Sequence, residues 1–155
     1  MNNVDSKKII ARNEASRKLK KGLYKKADEG KLGWTIGLYG TDAAASEEVI
    51  CGPAGVLEGA KDELICIDCA SIAPEASQAN SARALEKGLV LLDAPVSGGP
   101  KVAENGALGI MVGGSEDAFK TVEPILNKLG KMVLYTGPSG NGTTLKLIAN
   151  LVMGV

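Results

Sequence analysis

Residues 89–100 read Leu89-Val90-Leu91-Leu92-Asp93-Ala94-Pro95-Val96-Ser97-Gly98-Gly99-Pro100. An apolar run of strand length stops at a carboxylate and gives way to a loop dense in small residues, as when a buried strand delivers its C-terminal end to a turn. The same grammar recurs on both sides. Upstream, Leu64 to Cys69 is a second strand-like run, after which Pro74 opens a helix to about Lys87 that Gly88 closes. Before that, Thr35 to Tyr39 is a strand, and Thr41-Asp42 caps a helix through about Ile50 that Gly52-Pro53-Ala54-Gly55 breaks. Downstream, Ala107 to Val112 is a strand ending at Gly113-Gly114, and Ser115-Glu116-Asp117 starts a helix that runs to Leu129 and stops at Gly130. Met132 to Tyr135 is the last strand, and Gly137-Pro138-Ser139-Gly140-Asn141-Gly142 leads into a helical pattern over Thr143 to Val155. This alternation predicts an α/β layer fold.

Composition narrows the chemistry. The chain has 155 residues, 45% of them hydrophobic and 23% charged, which allows one ordinary core and excludes a disordered chain. It contains no histidine, so Ser-His-Asp hydrolysis, His-ligated zinc and imidazole acid/base catalysis are excluded. Proton transfer must use Lys, Tyr, Cys or a carboxylate. The five aromatic residues (Tyr24, Trp34, Tyr39, Phe119 and Tyr135) are too scattered to stack bases, and nucleic-acid binding is disfavoured. No apolar run approaches membrane-spanning length and no secretory segment opens the chain, so no membrane partner is expected. The location reads as intracellular, with the cytoplasm favoured over the mitochondrion. Cys66 and Cys69 form a C-x-x-C, but residues three apart on a strand point to opposite faces, and no second pair exists; buried structural thiols are expected, with no metal site.

The net charge is zero, but residues 1–33 hold ten Lys/Arg against four Asp/Glu, and residues 34–155 hold eight against fourteen. The first stretch is helix-compatible and basic, with Lys18, Lys20, Lys21, Lys25 and Lys26 clustered in it. It reads as a solvated helix or frayed tail, with contact to a polyanion and organelle targeting as alternatives.

Three pieces carry chemistry. Ser97, Gly98 and Gly99 lie just past a strand's C-terminal end, where open α/β sheets bind ligands, and their backbone amides with the Ser97 hydroxyl can nest a small carboxylate. The alternative is a plain glycine turn. Lys146 and Asn150, four apart on the last helix, project from one face. Lys146 is flanked by Leu145, Leu147 and Ile148, a setting in which lysines serve as acids and bases; the alternative is a surface lysine whose stem covers apolar neighbours. Ser71, in Asp68-Cys69-Ala70-Ser71-Ile72-Ala73-Pro74, sits between a strand end and a helix, facing either the ligand crevice or its own turn.

In this order and spacing the pieces resemble the β-hydroxyacid dehydrogenase family, within the 6-phosphogluconate dehydrogenase NADP-binding superfamily. The resemblance rests on Gly55-Val56-Leu57-Glu58-Gly59-Ala60-Lys61, Leu92 to Gly99, Ile110-Met111-Val112-Gly113-Gly114, and Gly140-Asn141-Gly142 with Lys146 and Asn150, and covers about Thr35 to Val155. It implies hydride transfer between a nicotinamide and a small carboxylate-bearing aldehyde or hydroxy acid. It makes Lys146 the proton donor and acceptor, Ser97, Gly98 and Gly99 the carboxylate loop, and Asn150 the amide that orients substrate. Ser71 matches a threonine beside the nicotinamide. Arg12 matches a residue that serves an NADP 2′-phosphate, so NADP is slightly favoured over NAD.

The resemblance also implies a Rossmann-like, mostly parallel sheet with helices on both faces, a domain over residues 34–142, and the start of a C-terminal helical domain at 143–155. The family's opening G-x-G-x-x-G turn has no counterpart in residues 1–34, so the N-terminal Gly-rich βαβ unit is expected to be largely missing. The expectation is therefore an incomplete reductase, weak or inactive alone. The alternatives are a working enzyme whose missing parts come from another chain or a swapped protomer, and a non-enzymatic interaction module that keeps the fold and meets a partner through its basic N-terminus or its exposed last helix, through which a homo-oligomer can also form.

Overall fold

The computed structural model describes residues 24–25, 35–38, 42–60 and 64–154. Among the described residues, seven strands form one sheet: β1 (Tyr24–Lys25), β2 (Thr35–Leu38), β3 (Ile65–Asp68), β4 (Val90–Asp93), β5 (Val96–Ser97), β6 (Leu108–Gly113) and β7 (Gly130–Gly137). The helices are α1 (Ala43–Cys51), α2 (Val56–Gly59), α3 (Pro74–Glu86), α4 (Pro100–Glu104), α5 (Glu116–Leu126) and α6 (Asn141–Met153). β2, β3 and β4 run parallel in register, with Asp68 opposite Asp93. β6 and β7 are parallel to each other. β4 and β5 both pair antiparallel with β6, Asp93 facing Gly113, Val96 facing Ile110 and Ser97 facing Gly109. These pairs share a single register, and the Met111 N–H donates to the Pro95 carbonyl at 3.2 Å. β4 and β5 are thus one strand line, whose ladder is interrupted at Ala94-Pro95 because proline has no N–H to donate.

The α/β class expected from the alternation and the Rossmann-like sheet implied by the resemblance are present, and the sheet is mixed. The antiparallel turn comes where the chain doubles back after Ser97. Three short elements escaped the sequence pattern: β5 and α4 lie in what reads as a loop, and α2 follows the Gly52–Gly55 break. One or two turns are too short to display a period. Tyr24–Lys25, inside the basic stretch read as helix-compatible, pair antiparallel with β2 instead; the remaining residues of 1–33, Arg12 included, lie outside the described residues.

Helix ends follow local chemistry. The Ala45 N–H donates to Asp42 Oδ1 at 2.8 Å, capping α1 as expected. Pro74 occupies the first turn of α3, and Ser115 caps α5 beside Glu116 and Asp117, which favour the positive end of the helix. Alternation along the strands divides the core. Cys66 and Leu91 point to one face, under Val49, Ile50, Leu57 and Ala84 from α1, α2 and α3. Ile67, Leu92, Ile110 and Val112 point to the other, under Phe119, Val122 and Leu126 of α5. Phe119 stacks on Tyr135 of β7 at 5.2 Å between ring centroids. Each fully buried Leu or Ile here contributes about 1.5–3 kcal/mol. Cys66 joins the first cluster and Cys69 the second, the opposite-face placement that their spacing predicted. Among the described residues, no helix is long and apolar enough to cross a membrane.

Candidate active site

Asp68 and Asp93 share the parity of Cys66 and Leu91, so both carboxylates point to the α1–α3 face at the C-terminal ends of neighbouring strands. Each is 1% exposed. The Ala94 N–H donates to the Asp68 carbonyl at 2.7 Å, which holds the loop after β3 against the loop after β4.

Asp93 reaches across the sheet to α6. Its Oδ1 accepts from the Gly140 N–H at 2.8 Å and its Oδ2 from the Thr143 N–H at 3.0 Å. The Gly142 amide supports the same carboxylate. Burial raises the Asp93 carboxyl above the ordinary carboxylate value, and these amides partly offset it. The fit leaves no room for side chains: a Cβ at Gly113 would lie 2.6 Å from Asp93 Oδ1, and one at Gly142 would lie 2.4 Å from the Met111 carbonyl.

α6 therefore stands on the strand line that carries Ser97. Lys146, one turn beyond Thr143, is 9% exposed and shares the buried face of α6 with Gly142 and Thr143. Its burial has a different origin from the flanking residues proposed for it, because Leu147 and Ile148 are 43% and 52% exposed and face away. Asn150, a further turn along, is exposed. Ser71 is exposed in the loop after β3, and Ser97 is half-buried. Gln78 of α3 donates from Nε2 to the Ser139 carbonyl at 3.2 Å, tying α3 to the segment that leads into α6. The loop of Ser71, the strand line of Ser97 and the first turns of α6 with Lys146 thus converge on the ends of β3 and β4.

The two glycines of the carboxylate loop differ. Gly98 has φ 130°, and a Cβ there would meet Val102 Cγ1 at 2.8 Å, so the turn itself requires glycine. At Gly99 a Cβ would meet nothing within 4 Å, which leaves the backbone there open to a ligand.

Asp68 is held otherwise. The Ser46 hydroxyl of α1 donates to its Oδ2 and the Ala70 N–H to its Oδ1 at 2.9 Å. Asn80 of α3 donates to the Ser46 oxygen at 3.4 Å, and the Cys51 thiol to Asn80 Oδ1 at 3.6 Å. Burial raises the Asp68 carboxyl, the Ser46 and Ala70 donors lower it, and the charge of Asp93 raises it further. Burial also pushes the neighbouring Cys66 thiol up to about 12. Among the described residues, no group of three or more Cys, Asp or Glu side chains is placed to hold a metal ion.

The sequence motifs include Asp93 without giving it a role, and they pass over Ser46, Asn80 and Gln78. The partners of these residues lie 22 to 61 residues away along the chain, beyond any local pattern.

A mixed Rossmann-like sheet with small-residue loops at its strand ends is the architecture of a dinucleotide-binding domain. A model described as the NAD binding domain of 6-phosphogluconate dehydrogenase matches residues 14–137, and the chain belongs to that family. Among curated proteins it is 41% identical over 113 residues to 2-(hydroxymethyl)glutarate dehydrogenase of Eubacterium barkeri, covering 73% of this chain and 38% of that protein. It is 37% identical over 109 residues to 3-hydroxyisobutyrate dehydrogenase of Pseudomonas aeruginosa, covering 70% and 37%. Among solved structures, 3-hydroxyisobutyrate dehydrogenase of Mycobacterium tuberculosis with L-serine superposes with a TM-score of 0.72 at 28% identity, covering 77% of this chain and 40% of that one. The chain spans less than half the length of these relatives. The resemblance read from the motifs is borne out at the level of family and fold.

Proposed function

We propose that the chain forms the substrate-facing part of an NAD(P)-dependent oxidoreductase acting on a small carboxylate-bearing aldehyde or the corresponding hydroxy acid. The observation that carries this reading is the burial of Lys146 on a helix whose first turn is gripped by Asp93, on the strand line that delivers Ser97. The relatives named as 2-(hydroxymethyl)glutarate and 3-hydroxyisobutyrate dehydrogenases support the substrate class.

The described residues fit the nicotinamide and substrate side of such a site: Ser71 is exposed at the end of β3, and the Gly99 backbone has open space beside it. For the pyrophosphate, residues 1–34 contain no G-x-G-x-x-G. NAD(P), when bound, supplies or accepts the hydride. Ser97, Gly98 and Gly99 hold the substrate carboxylate with hydroxyl and backbone donors, and Asn150 orients the substrate beside the lysine. Lys146 Nζ gives a proton to the carbonyl oxygen during reduction and takes the hydroxyl proton back during oxidation. Such a donor stabilises charge that appears only in the transition state. Ser71 would contact the nicotinamide and Arg12 would serve the 2′-phosphate, with NADP slightly favoured over NAD. Without the Gly-rich turn, cofactor affinity is low and turnover by the chain alone is weak or absent.

Calorimetric titration with NADPH and NADH, together with turnover of glyoxylate and succinic semialdehyde by wild type and Lys146→Ala, tests the proposal. Weak binding, with any turnover abolished in K146A, supports it; turnover that K146A leaves intact refutes the assignment. A second reading is favoured by the exposure of Leu147, Ile148, Leu151, Val152 and Met153 on α6, beside Met132 and Leu134 of β7. In it the domain is a non-enzymatic interaction module that pairs with a second copy through α6. Light scattering that finds a dimer in both wild type and K146A, with no nicotinamide nucleotide bound, supports that reading.

A further inference from the structure

We propose that Asp93 is a positioning residue: its carboxylate fixes the first turn of the helix that bears Lys146 against the strand line that bears Ser97. This inference rests on the reading of Lys146 as the proton-transfer group. α6 brings no cap of its own, since its N-cap is Gly140, at φ 88°, with no side chain to offer. The Asn141 N–H donates to the Pro138 carbonyl at 3.1 Å, but the amides of Gly142 and Thr143 have no backbone acceptor of that kind and depend on Asp93. Asp93 meets them with both oxygens, at 2.8 Å to Gly140 and 3.0 Å to Thr143. Ser97 follows four residues later on the same strand line and the same face, because Asp93 and Ser97 pair with Gly113 and Gly109 in one register. Lys146 follows Thr143 by three residues, about 4.5 Å along the helix axis.

The contact is also keyed. Side chains are absent at Gly113 and Gly142, where a Cβ would come within 2.6 and 2.8 Å of the Asp93 oxygens. The carboxylate thus has one seat, and the helix has one angle of approach. Catalytic groups must be held to about 0.5 Å to act together, and a single buried charge between strand and helix meets that requirement without touching substrate.

The test uses the full chain in three forms: wild type, Asp93→Asn and Ser46→Ala. The last removes a donor from the other buried carboxylate, Asp68, and serves as a control for general loosening. Each is acylated with sulfo-N-hydroxysuccinimide acetate at mildly alkaline pH, and peptide mass spectrometry reads the rate at Lys146 relative to exposed Lys128 and Lys131. D93N is expected to raise the relative rate at Lys146 about fivefold or more, while S46A leaves it within about twofold, because only the first frees the α6 first turn. An unchanged Lys146 rate in folded D93N, or an equal rise in S46A, overturns the proposal. If D93N does not fold, Gly113→Ala, which keeps the charge and displaces the carboxylate, is read against the same criteria. Where the wild type turns over, D93N lowers kcat about tenfold with KM nearly constant, and S46A moves neither. Retained turnover in K146A defeats the functional assignment, while a faster acylation of Lys146 in D93N still supports the hold of Asp93 on α6. Loss of turnover in K146A, with Lys146 still shielded in D93N, defeats the positioning role alone.

Discussion

Asp68 and Asp93 end adjacent parallel strands at the same register position, and both are buried to 1% exposure. Their surroundings differ in one respect. Asp68 receives a hydroxyl from Ser46, which is itself engaged by Asn80, so half of its shell consists of side chains that can rotate. Asp93 receives backbone amides from α6, which can only donate and cannot turn. A carboxylate among rotatable partners joins layers of a core and tolerates exchange. A carboxylate among fixed donors sets the place of a whole helix, here the one with Lys146.

The sharpest way to break this contrast is Asp93→Asn. The amide can turn its oxygen to one helix N–H, but its NH₂ then faces another donor, and a buried donor loses its partner. Unmade hydrogen bonds to a buried charge acceptor are expensive, so D93N should lose about 3 kcal/mol in chemical denaturation. A loss of less than about 1 kcal/mol would mean that α6 is held by packing alone.

Next in size is Gly142→Ala. In an exposed helix this change stabilises by about 0.5–1 kcal/mol. Here the new Cβ would sit 2.4 Å from the Met111 carbonyl and 2.8 Å from Asp93 Oδ2, so the helix must back away from its anchor. The expected outcome is a loss of about 2 kcal/mol in thermal or chemical unfolding. A stabilised G142A would show that the α6 first turn has slack, and with it that Asp93 does not set its angle.

These sites also mark where the sequence was legible. The runs at Leu64–Cys69, Leu89–Asp93 and Ala107–Val112 announced buried strands, because a strand covered on both faces is apolar throughout. Asp42 and Ser115 announced helix starts, because a cap acts on residues three positions away. The motif at Ser97 to Gly99 and the pair Lys146 and Asn150 announced the family. What stayed hidden was non-local. Asp93 finds its donors 47 and 50 residues downstream, and nothing near it in the chain specifies them. Gly113 reads as the end of a strand and Gly142 as part of a turn, whereas each is small because the other element comes so close. Leu147 and Ile148 suggest a buried setting for Lys146, yet those two face solvent and the sheet side of α6 does the shielding. β5 escapes the pattern because Pro95 interrupts a strand line whose continuity shows only in its pairing with β6.

Asp68→Asn is expected to have the smallest effect, and its pH dependence sharpens the comparison. An asparagine at 68 can accept from the Ala70 N–H through its oxygen and donate to Ser46 through its NH₂, once the hydroxyl turns over. The cost at neutral pH should therefore be about 1 kcal/mol or less. Burial, ahead of the opposing donors, raises the folded-state pKa of Asp68 above its unfolded value. A carboxyl raised in this way takes up its proton earlier in the folded protein than in the unfolded chain. Its contribution is full below the unfolded value and is lost as pH rises through the folded one. Acidification from neutrality toward about pH 4 should therefore stabilise wild type relative to D68N, widening a gap that is small at neutral pH. Carboxylates held by exposed ion pairs, such as Glu47 with Arg83, remain in both proteins and cancel in the difference. A gap that narrows on acidification would mean that Asp68 is stabilised as a carboxylate by its donors more than it is penalised by burial. The Ser46 and Ala70 donors would then outweigh burial at Asp68, as the α6 amides do not at Asp93, and the distinction between rotatable and rigid partners would lose its consequence.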